Sequence, residues 1–240
     1  MIKPDMIRQD YELYLAHQIL AKPKQFEFLA NDIKGKHYKI LDNSAYELGK
    51  GIELNNLLKA ADIINADEIV LPDIYKSNDS FEYSLKYLIE IPVGFKRKIA
   101  FVAQASNIID LTYSIDKIKQ LKRVDTIMLP KWSWAWRMDL MRLLLNTDKA
   151  VHWLGMGDCI TETVGSYTKT IRSIDTGYFT ALASTDYEQS IFNKRIDGIK
   201  INLDYIPTCE NKLINLMSQQ KLFLEENYNG KKTKTGCRQS

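Results

Sequence analysis

Three aspartates, Asp42, Asp73 and Asp175, each close a short apolar run, and Gln104 closes a fourth. Carboxylates gathered from different strand ends suit chemistry at the anomeric carbon of a sugar. One can add to an oxocarbenium-like centre and hold a covalent intermediate, while another handles the proton of a departing base. The competing assignment is local, because Asp42 with Ser44, or Asp73 with Ser77, can satisfy amide groups at the start of a following helix. The choice turns on whether the runs deliver their ends to one place.

The runs are Tyr38-Lys-Ile-Leu41, Glu68-Ile-Val-Leu71, Lys98-Ile-Ala-Phe-Val-Ala103, Thr126-Ile-Met-Leu129, Val151-His-Trp-Leu154 and Arg172-Ser-Ile174. Between them, apolar residues recur three and four apart over Leu54 to Ile64, Ser80 to Ile89, Ile108 to Leu121, Met138 to Leu145 and Thr161 to Lys169, the helical spacing. Repeated β-then-α units demand a parallel sheet, either open and doubly wound or closed as a barrel. An open nucleotide-binding sheet carries a glycine-rich phosphate turn. Neither Gly-x-Gly-x-x-Gly nor Gly-x-x-x-x-Gly-Lys-Ser/Thr occurs here, and Gly155-Met-Gly157 is the nearest approach.

The expected fold is therefore α/β, a shortened or irregular (β/α)8 TIM-type barrel whose strand C-terminal ends share one mouth, with Asp42, Asp73, Gln104 and Asp175 facing it. The missing strands are expected in the N-terminal stretch and in Gly198-Ile-Lys-Ile-Asn202. Asp10 to Leu29 reads as helix broken near Pro23, and Cys209 to Asn227 as an amphipathic helix. One barrel domain over 1–228 and a mobile basic tail over 229–240 complete the expected organisation.

At 240 residues, 45% hydrophobic and 26% charged, the chain can bury one sizeable core, which excludes a disordered protein and a disulfide miniprotein. Its apolar runs last about five residues where a membrane span needs roughly 20, so no span is expected. Polar residues crowd the N-terminus before any apolar block, which argues against a secretory signal and for a cytoplasmic location. Cys159, Cys209 and Cys237 are odd in number and far apart, as reduced thiols are. His17, His37 and His152 are equally scattered, and no zinc-ligand spacing emerges, so no metal is expected. A net charge of +3 neither demands nor opposes a nucleic-acid partner.

The stretch Leu41-Asp-Asn-Ser-Ala-Tyr-Glu47 resembles the Asp-Ser-Gly-Gly-Phe-Gln motif of the queuine tRNA-ribosyltransferase (tRNA-guanine transglycosylase) superfamily. Val70-Leu-Pro-Asp73, Phe101-Val-Ala-Gln104, Trp153-Leu-Gly-Met-Gly157 and Ile171-Arg-Ser-Ile-Asp175 resemble its later strand ends in order and spacing, from about residue 38 to residue 180. The resemblance implies Asp175 as nucleophile, Asp42 acting at the base, Asp73 and Gln104 recognising it, and Tyr46 stacking on it. Asn43, Ser44, Lys131, Trp132, Gly155 and Arg172 join the expected substrate contacts. The similarity is closest to a compact phage-type branch linked to placing 7-deazaguanine bases in DNA. The implied activity is exchange of a guanine-type base for a 7-deazaguanine derivative in DNA or tRNA, without a cofactor, in a host cytoplasm if the chain is phage-encoded.

Two departures stand out. The zinc ligands that follow the nucleophile in the tRNA enzymes are absent, and their Gly-Gly pair is replaced around Met128-Leu-Pro-Lys131, which opens the choice of base.

Pro130-Lys-Trp-Ser-Trp-Ala-Trp-Arg137 places three tryptophans between two cations, a composition able to stack bases and hold phosphate. The packing alternative has Trp132 and Trp136, four apart, starting a helix and turning inward, with Trp134 partly exposed. Lys96-Arg-Lys98 and the tail cations fit either a phosphate track or solvated loops. Arg172 suits either an orienting contact to Asp175 or phosphate, or an ordinary ion pair, and His152 reads as a packed strand histidine. Rival functions are an N-glycosidase that only removes the base, an inactive nucleic-acid-binding barrel, and a small-molecule lyase, which would call for a phosphate-binding glycine loop. Monomer and homodimer both remain open.

Overall fold

The computed structural model describes residues 11–32, 38–155 and 171–174. The expected elements at Thr161 to Lys169, 198–202 and 209–227, the tail, and all three cysteines lie outside them, as does Asp175.

Alternation of apolar and polar residues in Tyr11-Glu-Leu-Tyr-Leu15 builds strand β1, which is followed directly by α1 (Ala16–Ala21) and α2 (Pro23–Asp32). The sequence reading of Asp10 to Leu29 as helix is thus corrected at its start. Residues Tyr11, Leu13 and Leu15 repeat every second position, the strand period, and the helical period begins only at Ala16. Pro23 opens α2, where its missing N–H costs no hydrogen bond.

The remaining elements follow the expected alternation. They are β2 (Tyr38–Asp42), α3 (Ala45–Leu48), α4 (Leu54–Ile64), β3 (Glu68–Val70), α5 (Ser80–Glu90), β4 (Lys98–Val102), α6 (Ile108–Lys119), β5 (Thr126–Leu129), α7 (Arg137–Leu144), β6 (Ala150–Trp153) and β7 (Ile171–Ile174). A 3₁₀ turn, Lys131–Trp136, links β5 to α7. Helix α6 starts where the Asn107 side chain accepts from the Asp110 amide, and it ends with Lys117 and Lys119 beside its exposed carbonyls. Helix α4 ends at Asn65, whose left-handed backbone (φ 50°) closes its last turn.

Every strand pairs in parallel with the one before it, giving a seven-stranded sheet in the order β1 to β7 that curls into a half-barrel. Among the described residues β1 and β7 are not paired with each other. The two faces separate cleanly. Leu41, Ile69, Phe101, Ile127 and Val151 pack outward on the helices, whereas Ile40, Val70, Ala100, Val102 and Met128 line the inner face. Burying each Val, Leu, Ile, Phe or Met side chain among them contributes about 1.5–3 kcal/mol.

The N-terminal end of the inner face is closed by charge. Glu68, fully buried, meets the Arg172 guanidinium at 2.8 Å and accepts from the Tyr38 hydroxyl at 2.7 Å, while Arg172 also reaches Thr126 Oγ1 at 3.0 Å. A register shift between Val151 and His152 lets consecutive residues of β7 both find inner-face partners, with Ser173 Oγ 2.7 Å from His152 Nδ1. No helix among the described residues is long and apolar enough to cross a membrane.

Candidate functional site

The C-terminal ends of β2 to β6 bring the predicted residues together, and each loop is fixed by backbone chemistry. After β2, Asp42 Oδ1 accepts from the Ser44 amide at 2.6 Å, and Ser44 adopts a left-handed backbone (φ 65°). The local role proposed for Asp42 with Ser44 is therefore present as a turn. Ser44 itself is fully buried, and its Oγ accepts from the His17 amide at the start of α1 (3.2 Å). The expectation of a substrate contact from Ser44 is corrected to a packing role.

Asn43 is also sealed in. Its Nδ2 donates to the Leu71 carbonyl and to Asp73 Oδ1 (2.7 Å), and its Oδ1 accepts from the Ala45 amide (2.7 Å). With its amide so engaged and only 1% exposed, Asn43 positions Asp73 and does not present itself to a ligand. This corrects its assignment among the substrate contacts.

Asp73 is the unusual group. It is 1% exposed; Oδ1 is held by Asn43, and Oδ2 is buried without a hydrogen-bond partner. Burial pushes its pKa up to about 6, and the neighbouring Asn43 and Gln104 amides pull back against that rise. Asp73 does not cap α5. The N-cap position of α5 is Asp79, which makes no side-chain capping hydrogen bond, and the Ser80 hydroxyl accepts from the Ile74 amide in the loop before the helix at 3.1 Å.

A strap crosses this pair of loops. The Gly51 amide donates to the Asp73 carbonyl (2.7 Å), the Ile52 amide to the Asn43 carbonyl (3.1 Å) and the Tyr75 amide to the Gly49 carbonyl (3.1 Å), and Lys50 bridges Ile74. A Cβ at Gly51 would lie 2.9 Å from both Asp73 N and Pro72 Cα and 3.1 Å from Asn43 Cγ, so only glycine fits. Sequence reasoning missed Gly51. Its only local signal is the Gly49-Lys-Gly51 spacing just past a strand end.

After β4, Gln104 is 5% exposed, and its Oε1 accepts from the Lys76 amide at 3.2 Å and from Trp132 Nε1 at 3.4 Å. Lys131 is exposed, and its stem lies 3.2 Å from where a Gly155 Cβ would stand, with Gly155 at φ 64°. Tyr46 is 64% exposed and meets Tyr75 edge-on at 5.2 Å. Tyr75 was not foreseen.

The tryptophan segment differs from both of its readings. Trp132 and Trp134 pack partly into the core, Trp134 lies 5.7 Å from Trp153 under the Arg137 guanidinium, and Trp136 is the exposed one. The segment is 3₁₀, so residues four apart point about 120° apart and cannot share an inward face.

Two basic features sit elsewhere. Arg172 belongs to the ion pair with Glu68 at the opposite end of the strands, which corrects its placement among substrate contacts. Arg97 pairs with Asp62 at 2.7 Å just before β4, also away from the mouth. Among the described residues, no cluster of three or more His, Cys, Asp or Glu side chains could hold a metal ion. No protein-family model matches this chain, and no curated protein matches it.

Proposed function

We propose that this chain is an N-glycosidic base-exchange enzyme that replaces a guanine-type base in DNA or tRNA with a 7-deazaguanine derivative. The half-barrel is then the larger part of a shortened (β/α)8 barrel. The observation that carries the reading is Asp73. A buried carboxylate with one oxygen held and the other open, beside an oriented amide, suits the donor-rich edge of a heterocyclic base better than it suits solvent.

In the proposed reaction Asp175 attacks C1′, forming a C1′–O bond as the C1′–N bond breaks. The bonding pair leaves on the base nitrogen, which takes a proton from Asp42. The incoming base returns that proton to Asp42, its nitrogen attacks C1′, and Asp175 departs as carboxylate. Asp73 accepts from ring N–H groups, Gln104 donates to a ring acceptor, and exposed Tyr46 offers a stacking face. Lys131 neutralises phosphate of the polymer.

Wild type and Asp175→Ala, incubated with labelled guanine or 7-deazaguanine and, separately, tRNA, duplex DNA or single-stranded DNA, test this directly. Label entering one polymer with wild type alone supports exchange and names the substrate. Abasic sites without label convert the reading to a glycosidase, and the absence of both label and abasic sites overturns catalysis at the mouth.

A further inference from the structure

A glutamine amide has chemically opposite ends, so what it reads depends on which end faces the ligand. In Gln104 the carbonyl end is occupied, because Lys76 N–H and Trp132 Nε1–H converge on Oε1 at 3.2 and 3.4 Å. The donors come from different loops, after β3 and after β5. The remaining NH₂ group accounts for the help Gln104 gives to the Asp73 charge. A flipped amide would set NH₂ against two N–H donors and a carbonyl beside a carboxylate.

Of these two donors, only the indole can be changed by substitution, since the other is backbone. Trp132 is partly packed into the core and meets Trp136 edge-on at 6.5 Å, which holds the ring in place.

We propose that Trp132 is a positioning residue that sets specificity through Gln104. Its indole N–H locks the amide so that position 104 donates to the ligand, beside an Asp73 oxygen that accepts. The inference rests on the base-binding reading of the mouth. A 6-oxopurine edge, with a carbonyl next to N–H, then matches both groups. A 6-aminopurine in the same pose sets donor against donor and acceptor against acceptor, a mismatch that leaves buried polar groups unpaired.

Trp132→Phe keeps an aromatic, though smaller, side chain and removes the donor. In the full-length ¹⁵N-labelled protein, the Gln104 NH₂ signals are identified by their loss in Gln104→Leu, and their heteronuclear NOE reports amide mobility without any ligand. The expected NOE is that of rigid backbone in wild type and clearly lower in Trp132→Phe. Calorimetry then compares 7-deazaguanine with 7-deaza-2,6-diaminopurine. Wild type should prefer the oxo base by about tenfold or more, and Trp132→Phe, with unchanged circular dichroism and melting, should lose most of that preference.

An NOE that does not change overturns the lock, and a preserved preference after the NOE falls overturns the role in specificity. If wild type binds neither base, the base-recognition reading fails and the specificity role falls with it. The NOE comparison then decides the lock alone.

Discussion

Two buried carboxylates at opposite ends of one short strand meet different surroundings. Glu68 at the start of β3 and Asp73 just past its end are 0% and 1% exposed, yet Glu68 faces the Arg172 guanidinium and the Tyr38 hydroxyl, whereas Asp73 faces only amides. Burial and the Glu68 charge keep the Tyr38 phenol protonated, so it donates throughout the working range. Burial without a counter-charge instead moves Asp73 up to about 6. Each carboxylate has one buried oxygen without a hydrogen-bond partner, so the difference lies in the counter-charge, which Arg172 supplies to Glu68 at one end and which Asp73 lacks at the other.

The comparison breaks most sharply at the closed end. Arg172→Met leaves Glu68 buried and uncompensated and should cost about 3–5 kcal/mol in urea unfolding, whereas Glu68→Gln combined with Arg172→Met should recover much of it. A single variant no less stable than wild type would remove the distinction.

At the open end the sign reverses. Folded Asp73 holds its proton up to about 6 against 3.8 for the free group, so stability is lost as pH rises between those values and the loss persists above them. Asp73→Asn should therefore gain up to about 3 kcal/mol at pH 7.5, a gain that shrinks toward zero near pH 4. The same variant should lose base affinity, and in wild type that affinity should rise with pH through about 6. Thermal melts at the two pH values and calorimetric titrations check both expectations.

Gly51→Ala sharpens the geometry, because its Cβ must push Asp73 and Pro72 backbone aside. A loss of about 1–3 kcal/mol is expected, with base affinity falling more than stability alone explains. The smallest effect belongs to the α6 cap. Asn107→Ala should cost about 1 kcal/mol and leave base affinity unchanged, since Asn107 serves the Asp110 amide and side chain and no group of the mouth.

What the chain disclosed before folding was its local periodicity. Leu54 to Ile64 and Thr126 to Leu129 are readable residue for residue because spacing alone dictates them. At Tyr11 to Leu15 two periods overlap, and the strand lost to its helical neighbour. Asp73 and Gln104 were legible as strand-end polar residues. The partners that give them their properties were not, because Asn43, Gly51 and Trp132 reach them across loops that only the sheet brings together. Arg172 was misplaced for a related reason. Its nearest sequence neighbours suggested the mouth, while its place near the start of β7 sets it at the other end, against Glu68 at the start of β3.

The strictly sequential strand order bears on how the chain acquires its shape during synthesis. Each strand from β2 to β7 finds its partner already made, so the sheet can grow from the N-terminus as the ribosome delivers it, with short loop closures throughout. The cradle of Asn43, Asp73 and Gln104 can assemble before Arg172 is translated, and the pin to Glu68 comes later. Nascent chains stopped before residue 172 would then carry a formed mouth on an unpinned sheet, and Glu68 would spend that interval without its cation.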